Sequence, residues 1–352
     1  MLARPADCRA RAINESQMFR SVVRAVVALF LLLPHIAAAE PITLKLAYYS
    51  SDRSILYRAG IMPFVNAVNA AAKDLVHIEV YFSSELGPVE TFPNLLLDGT
   101  ADIALVMPGY SPQLFYDGTV AELPGLFRDA REATLVYSKL ATTHVFKSYE
   151  QFEVLAAYAS EPETIHSRRP IATVSDVKGL KLRANNAYEA AAIEQLGAIP
   201  VLLPINKTAN AISDGTLDGA MVPPAMLFEF GAGRVTNNHF MLRTSAALML
   251  LAMRRQSFDR LPADAQKIIQ HYSGEWAALR YVETIEALNR SITDQLTSDP
   301  KRSVVLPSAA DRAVARRAFD RVVKDWAGTD IDKNKQLELI RAELATLRFT
   351  DE

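Results

Sequence analysis

From Ile42 to Tyr48, apolar positions alternate with Thr43, Lys45 and Ala47, the two-residue period of a strand with one buried face. Ser50-Ser51-Asp52 then supplies a loop with capping residues. Between Tyr57 and Leu75 the period changes: Ile61, Phe64, Val65, Val68 and Ala72 fall at helical spacing. His77 to Phe82 reads as a second strand and Ser83 to Pro88 as a turn. Val89 to Asp98 reads as a helix stopped by Gly99, and Ala101 to Met107 as a short apolar strand ending at Pro108-Gly109. Strand, helix, strand, helix, strand predicts an α/β domain with mainly parallel strands.

After Val154 to Ala159 the pattern starts again. Lys181-Leu182-Arg183 predicts a strand, Ala187 to Leu196 a helix ending at Gly197, and Pro200 to Leu203 a strand. Lys207 to Ser213 predicts a helix and Leu217 to Val222 another strand. Ala246 to Met253 is a further apolar strand that can return to the first unit. Asp264 to Ser298 has few breakers. As one helix it would run about 50 Å and bridge both units; split near Gly274 it would be two. Ala309 to Trp326 and Lys333 to Leu347 read as amphipathic closing helices. No polar linker separates the halves, so two interwoven lobes are expected. Residues 40–158 with 246–288 would form an N-terminal lobe, and 159–245 with 289–352 a C-terminal lobe.

The first 39 residues stand apart. Arg20 and Arg24 head an apolar run, Val22 to Leu33, that Pro34 and His35 break before Ala37-Ala38-Ala39. A positive region, a short apolar region and a small-residue site are the parts of a secretory signal. The run is about a dozen residues, against about 20 for a membrane span. Cleavage is expected near Ala39, with Met18 an alternative start. The exported product would be soluble. It would have 313 residues, 33 basic and 38 acidic, for a net charge of −5 in place of −2 for the whole chain. That balance gives no basic surplus for nucleic acid. The single cysteine, Cys8, lies in the leader, so a disulfide framework and a cysteine nucleophile are both excluded from the mature chain.

Chemical motifs are sparse. The histidines His77, His144, His166, His239 and His271 have no metal-binding helical spacing, and Gly231-Ala232-Gly233 lacks the rest of a phosphate loop. No Gly-x-Ser-x-Gly elbow is present. No metal or cofactor is expected; the missing motifs weigh against an enzyme but leave a Ser/His/Asp triad open. What remains is a set of polar segments at predicted strand ends: Tyr49 to Arg53, Pro108-Gly109-Tyr110, Arg183-Ala184-Asn185-Asn186 and Val222-Pro223-Pro224. Ligands of open α/β sheets bind at such carboxyl ends, and clefts between domains favour small molecules. Arg183 closes an otherwise apolar alternation with Leu180 and Leu182, and a guanidinium there can hold a carboxylate with two parallel hydrogen bonds. A surface ion pair fits the spacing equally well.

Several segments, in order, carry a family resemblance. They are Glu85-Leu86-Gly87, Leu97-Asp98-Gly99-Thr100-Ala101-Asp102-Ile103, Glu122-Leu123-Pro124-Gly125-Leu126-Phe127, Asp176-Val177-Lys178-Gly179-Leu180-Lys181-Leu182-Arg183, Leu196-Gly197-Ala198-Ile199-Pro200-Val201 and Leu217-Asp218-Gly219-Ala220. Each is weak alone; together they span most of the mature chain. The sequence resembles the periplasmic solute-binding subunits of TRAP transporters, of the dicarboxylate-binding DctP type. The resemblance implies a two-lobed, type II-like periplasmic binding protein fold, its lobes joined by crossing strands and a long helix. It implies that Arg183 holds a ligand carboxylate. It also implies delivery to a two-subunit membrane permease driven by an ion gradient.

The sequence departs from that pattern in two places. Many members carry Asn or Glu before the proline that follows Asp-Gly; here Val222 precedes Pro223. Sialic-acid members carry a second arginine upstream of the first; here that neighbourhood is Glu161-Pro162-Glu163-Thr164. Pro108-Gly109-Tyr110, Ile165-His166-Ser167 and Asn238-His239 look more like a subgroup with a less polar pocket. The expected ligand is therefore an organic acid with one fixed carboxylate and a partly apolar body. Beside Arg183, the expected ligand-binding residues are Tyr110, Tyr49, Asn185, Asn186, Val222, Pro223, Phe228 and Arg53. Tyr110 and Phe228 can be pocket walls or core. Asn185 and Asn186 can donate to the ligand or cap the next helix. Arg53 can add a cation or stay exposed. The chain is expected to be a monomer. A component presenting ligand to a membrane sensor, or an exported enzyme on the same fold, are the competing readings.

Overall fold

A computed structural model describes residues 40–350, leaving the side chain of Thr350 aside. The leader with Cys8, Met18 and the cleavage at Ala39 lies outside the described residues. Strand β1 (Ile42–Ala47) forms because Leu44 and Leu46 turn inward while Thr43 and Lys45 face water. Helix α1 (Met62–Ala71) buries Phe64, Val65 and Val68 and leads to β2 (Val76–Tyr81), which pairs with β1 in parallel. Helix α2 (Phe92–Asp98) begins after a tight turn, Val89–Thr91, and ends where Gly99 takes φ +83°, a left-handed angle that favours glycine. Strand β3 (Ile103–Val106), buried along its whole length, joins the other edge of β1.

Helix α3 (Ala130–Thr142), capped by Asp129, precedes β4 (Phe152–Ala159). The chain then crosses into a second sheet. It continues as β5 (Thr164–Ser167), β6 (Lys181–Ala184), α4 (Ala187–Gln195), β7 (Ile199–Leu202), α5 (Ile205–Ser213), β8 (Gly219–Val222), the short α6 (Ala232–Val235) and β9 (Asn238–Phe240). Pro200 sits in β7 because that strand is at the sheet edge, where a missing N–H costs no ladder bond. The chain crosses back as β10 (Leu248–Arg254), then forms α7 (Arg255–Asp259), α8 (Ala263–His271), α9 (Glu275–Ser298), β11 (Ser303–Val305), α10 (Ala309–Ala327) and α11 (Ile331–Thr350). The two sheets have orders β2-β1-β3-β10-β4 and β11-β9-β5-β8-β6-β7. The apolar segment at 246–253 therefore does return to the first sheet, antiparallel to both β3 and β4.

Two chain passages connect the lobes, and they are tied into one ribbon. Ser160 N–H donates to Ala247 O at 2.9 Å, Glu163 N–H to Ser245 O at 2.8 Å, and Thr244 N–H to Glu163 O at 3.0 Å. The long helical region is split: Gly274, at φ +60°, ψ −124°, separates α8 from α9. Helix α9 still touches both lobes, packing on α3 and β4 and on the Pro224–Met226 turn and β11. Its Asn289 accepts from Ala225 N at 3.0 Å and donates to Glu161 in the crossing ribbon at 3.3 Å. Helix α11, expected with the second lobe, packs against the first. It returns to α3, with Lys139 on Glu343 at 2.6 Å and Arg348 doubly bonded to Glu132 at 2.8 Å.

Candidate functional site

Arg183 stands near the end of β6, in a strand otherwise filled by Leu182 and Ala184, and it has 0% exposure. It is not a surface arginine. Its Nε donates to Leu203 O at 2.8 Å and its Nη1 to Met221 O at 2.8 Å. Nη1 also donates to Glu163 Oε2 at 3.0 Å, and Nη2 to Asn185 Oδ1 at 2.8 Å. The Tyr110 phenol, which follows β3 in the first lobe, lies beside the guanidinium. A buried guanidinium is tolerable only when paired and hydrogen-bonded in this way. Twenty residues separate Glu163 from Arg183 in sequence, and the crossing ribbon closes that distance.

Three carboxyl groups converge here. Glu163 comes from the crossing ribbon, Glu189 from the first turn of α4, and Glu122 from the turn at Gly118–Glu122; their exposures are 1%, 0% and 1%. Glu189 accepts from Asn185 N and from Thr244 Oγ1, both at 2.8 Å. Thr244 Oγ1 also donates to Glu163 O at 3.1 Å, which brings Glu163 and Glu189 together. Burial raises the pKa of both. Burial also pushes Glu122 up to about 8, with the backbone amides of Leu248 and Gly109 only partly offsetting it. Neither oxygen of Glu122 has a partner at hydrogen-bonding geometry, nor do Nδ2 of Asn186 and Oγ of Ser245.

The other expected site residues separate into groups. Asn185 braces Arg183. Asn186 is the N-cap of α4, its Oδ1 accepting from Tyr188 N and Glu189 N at 3.0 and 2.9 Å. Tyr110 lies beside Arg183 and its hydroxyl accepts from Ile205 N at 3.4 Å, linking the two lobes. Tyr49 is half-buried and stacks on Phe230 of the opposite lobe, ring centres 6.3 Å apart. Nearby, Ile55 N–H donates to Glu229 at 2.9 Å, so the lobes are in contact along this edge too. Phe228 lies under the Arg302 guanidinium, 5.1 Å from its ring centre, and packs on Gly233. Arg53 is exposed in the first turn. Val222 is fully buried and its carbonyl accepts from His166 Nε2 at 3.2 Å; Pro223 is buried at the start of the next turn.

Sequence reasoning missed Glu163, the acidic partner of Arg183, and the groups around that pair, Glu122, Glu189 and Thr244. Glu122 lay inside a quoted motif, and Glu163 stands in the neighbourhood of the absent second arginine. Glu189, three residues after an N-cap Asn, carried a capping signal. Thr244 carried none. A second buried polar chain runs through the same sheet. Arg302 Nη1 donates to His239 Nε2 at 3.2 Å, and His239 Nδ1 meets His166 Nδ1 at 2.8 Å. Because arginine only donates and the Val222 carbonyl only accepts, each ring carries one proton and is neutral. Burial lowers His166 to about 3 and His239 to about 4.

A family model for bacterial extracellular solute-binding proteins, family 7 (DctP), matches residues 46–329. The chain belongs to this family. The C4-dicarboxylate-binding periplasmic protein DctP of Rhodobacter capsulatus is 24% identical over 234 residues, 65% of this chain and 70% of that protein. A TRAP solute-binding protein from Rhodoferax ferrireducens, solved with copurified benzoate, superposes with a TM-score of 0.82 at 24% identity, covering 88% of this chain and 100% of that one. A marine metagenome TRAP solute-binding protein specific for aromatic acids, solved with 3-hydroxybenzoate, gives 0.80 at 21% identity, covering 88% and 99%. The resemblance to TRAP periplasmic solute-binding proteins and the two-lobed α/β fold are thus borne out. These relatives are binding proteins rather than enzymes. Among the described residues, no helix is long and apolar enough to cross a membrane.

Proposed function

We propose that this family 7 protein captures a small organic acid in the periplasm, holds one carboxylate on Arg183 between its lobes, and delivers the acid to a two-subunit TRAP permease. The observation that carries this reading is Arg183 itself: a buried guanidinium at a strand end, beside the crossing ribbon and in contact with Tyr110 of the other lobe. Only an anion of matching geometry makes such a group useful to a ligand, because carboxylates pair with guanidinium through two parallel bonds. Benzoate and 3-hydroxybenzoate in the solved relatives fit the expected acid with one carboxylate and an apolar body.

A thermal-shift screen of benzoate, 3-hydroxybenzoate and succinate tests the ligand class, since a ligand at a hundred times its Kd stabilises by about 2.7 kcal/mol. Calorimetry on Arg183→Lys, with unfolding followed in parallel, tests the residue. The lysine keeps the charge and loses the planar fork, so binding is expected to weaken at least about tenfold. Unchanged affinity refutes the assignment. Loss of uptake of the bound acid from a strain deleted for the permease tests delivery.

A further inference from the structure

The charges around Arg183 are unequal in number. One guanidinium from β6 faces Glu163 of the crossing ribbon, Glu189 of α4, Glu122 of the turn before Pro124, and the Tyr110 phenol. Among the described residues, no other cation is prominent among the groups acting on these carboxyls; Arg243 nearby is paired with Glu161 instead, at 3.0 Å. Glu163 and Glu189 are both buried and are gathered round Thr244, whose Oγ1 contacts Glu163 O at 3.1 Å and Glu189 at 2.8 Å; two buried carboxyls beside a single cation hold one proton between them, which leaves the pair with a single negative charge. Burial keeps Glu122 protonated at neutral pH. The resting site is then neutral: one guanidinium against one shared carboxylate charge.

A ligand carboxylate breaks this balance. To reach the guanidinium fork it must displace Glu163 Oε2 from Nη1, because the guanidinium nitrogens of Arg183 are all engaged within the protein. Once the ligand neutralises Arg183, the charge on the Glu163–Glu189 pair has no buried counter-charge, and an uncompensated buried charge is relieved by changing protonation.

We propose that the Glu163–Glu189 pair is a proton-binding site coupled to the ligand: an incoming carboxylate replaces Glu163 on Arg183, and one proton from solvent settles on the pair. The Arg183–Glu163 bond breaks, the Arg183–ligand bonds form, and the pair becomes two neutral carboxyls, Glu189 still held by Thr244 and Asn185. The protein then carries its acid together with a proton. This rests on the reading of Arg183 as the carboxylate site.

Calorimetry of the mature chain with benzoate and 3-hydroxybenzoate, at one pH in phosphate and in Tris, counts protons from the difference in heat. About one proton taken up per ligand is expected, with affinity falling about tenfold per pH unit where uptake is complete. In E163Q/E189Q the count should drop to near zero and the pH dependence should flatten. Should the double variant fail to fold, the wild-type count still decides, and single E163Q and E189Q should each shift its pH profile. Binding with equal proton-corrected and uncorrected heats in both buffers, or a double variant that still takes up a proton, overturns the proposal. If neither acid binds, or Arg183→Lys binds as tightly as wild type, it is the reading of the site that falls. If binding depends on Arg183 without proton uptake, only the coupled proton falls.

Discussion

Replacing Glu122 with glutamine keeps the shape of the side chain and removes its titration, which turns a buried carboxyl into a measurable pH dependence. Glu122 presses on the backbone at Gly109, where an added Cβ would sit 2.6 Å from Oε1, and the side chain is almost wholly buried. In the folded chain its pKa is about 8, against 4.5 for the ordinary side chain. A folded pKa above the unfolded value means that the native state holds the extra proton between these limits. Its contribution is full below pH 4.5 and is lost as pH rises through about 8. One pH unit is worth about 1.4 kcal/mol, so wild type loses about 3 kcal/mol by pH 7 and about 5 kcal/mol by pH 9 relative to pH 4.5. The Glu122→Gln variant loses none of it. Urea unfolding of both proteins from pH 5 to 9 should show the variant gaining on wild type by about 1.4 kcal/mol per unit up to pH 8, then levelling off. Parallel curves would refute the buried, protonated carboxyl and the charge count built on it.

Arg183→Ala should not leave the fold untouched. It strands Glu163 and removes the donors to Leu203 O and Met221 O, at a cost of about 3–5 kcal/mol in urea unfolding; a loss below about 1 kcal/mol would contradict the network. Gly219→Ala should cost at least about 1–3 kcal/mol, because the new Cβ would meet the His166 carbonyl at 2.4 Å and backbone cannot swing aside; a neutral result by thermal unfolding would contradict the close approach of β8 to β5. The His166–His239 pair has the opposite linkage to Glu122. With folded pKa values of about 3 and about 4, its contribution is full above pH 6.5 and falls as pH drops below it, by about 1.4 kcal/mol per unit for each ring. Imidazole NMR should show two rings that stay neutral at pH 5; titration of both near 6.5 would sink the buried pair.

The alternation at Ile42 to Tyr48, the helical spacing through Val68 and the stops at Gly99 and Gly197 were enough to place the local elements, because strand and helix periods follow from backbone geometry alone. The motifs then pointed to the family, and through it to Arg183. Some outcomes were balanced locally: one long helix or two across Gly274, ligand contact or cap at Asn186. The folded chain decided both: Gly274 takes φ +60°, ψ −124° and interrupts the helix, and Asn186 Oδ1 has the amides of α4 within reach. The surroundings of Arg183 were legible only in space. Glu122, Glu163, Glu189 and Thr244 come from four separate chain segments, and nothing in the spacing of their own neighbours says that a crossing ribbon, a helix start and a tight turn meet. The sequence by itself determined which segments form strands and helices and which arginine to watch. The tertiary structure decided that this arginine is buried among acids, because a guanidinium removed from water must be given its counter-charge by whatever the topology brings beside it.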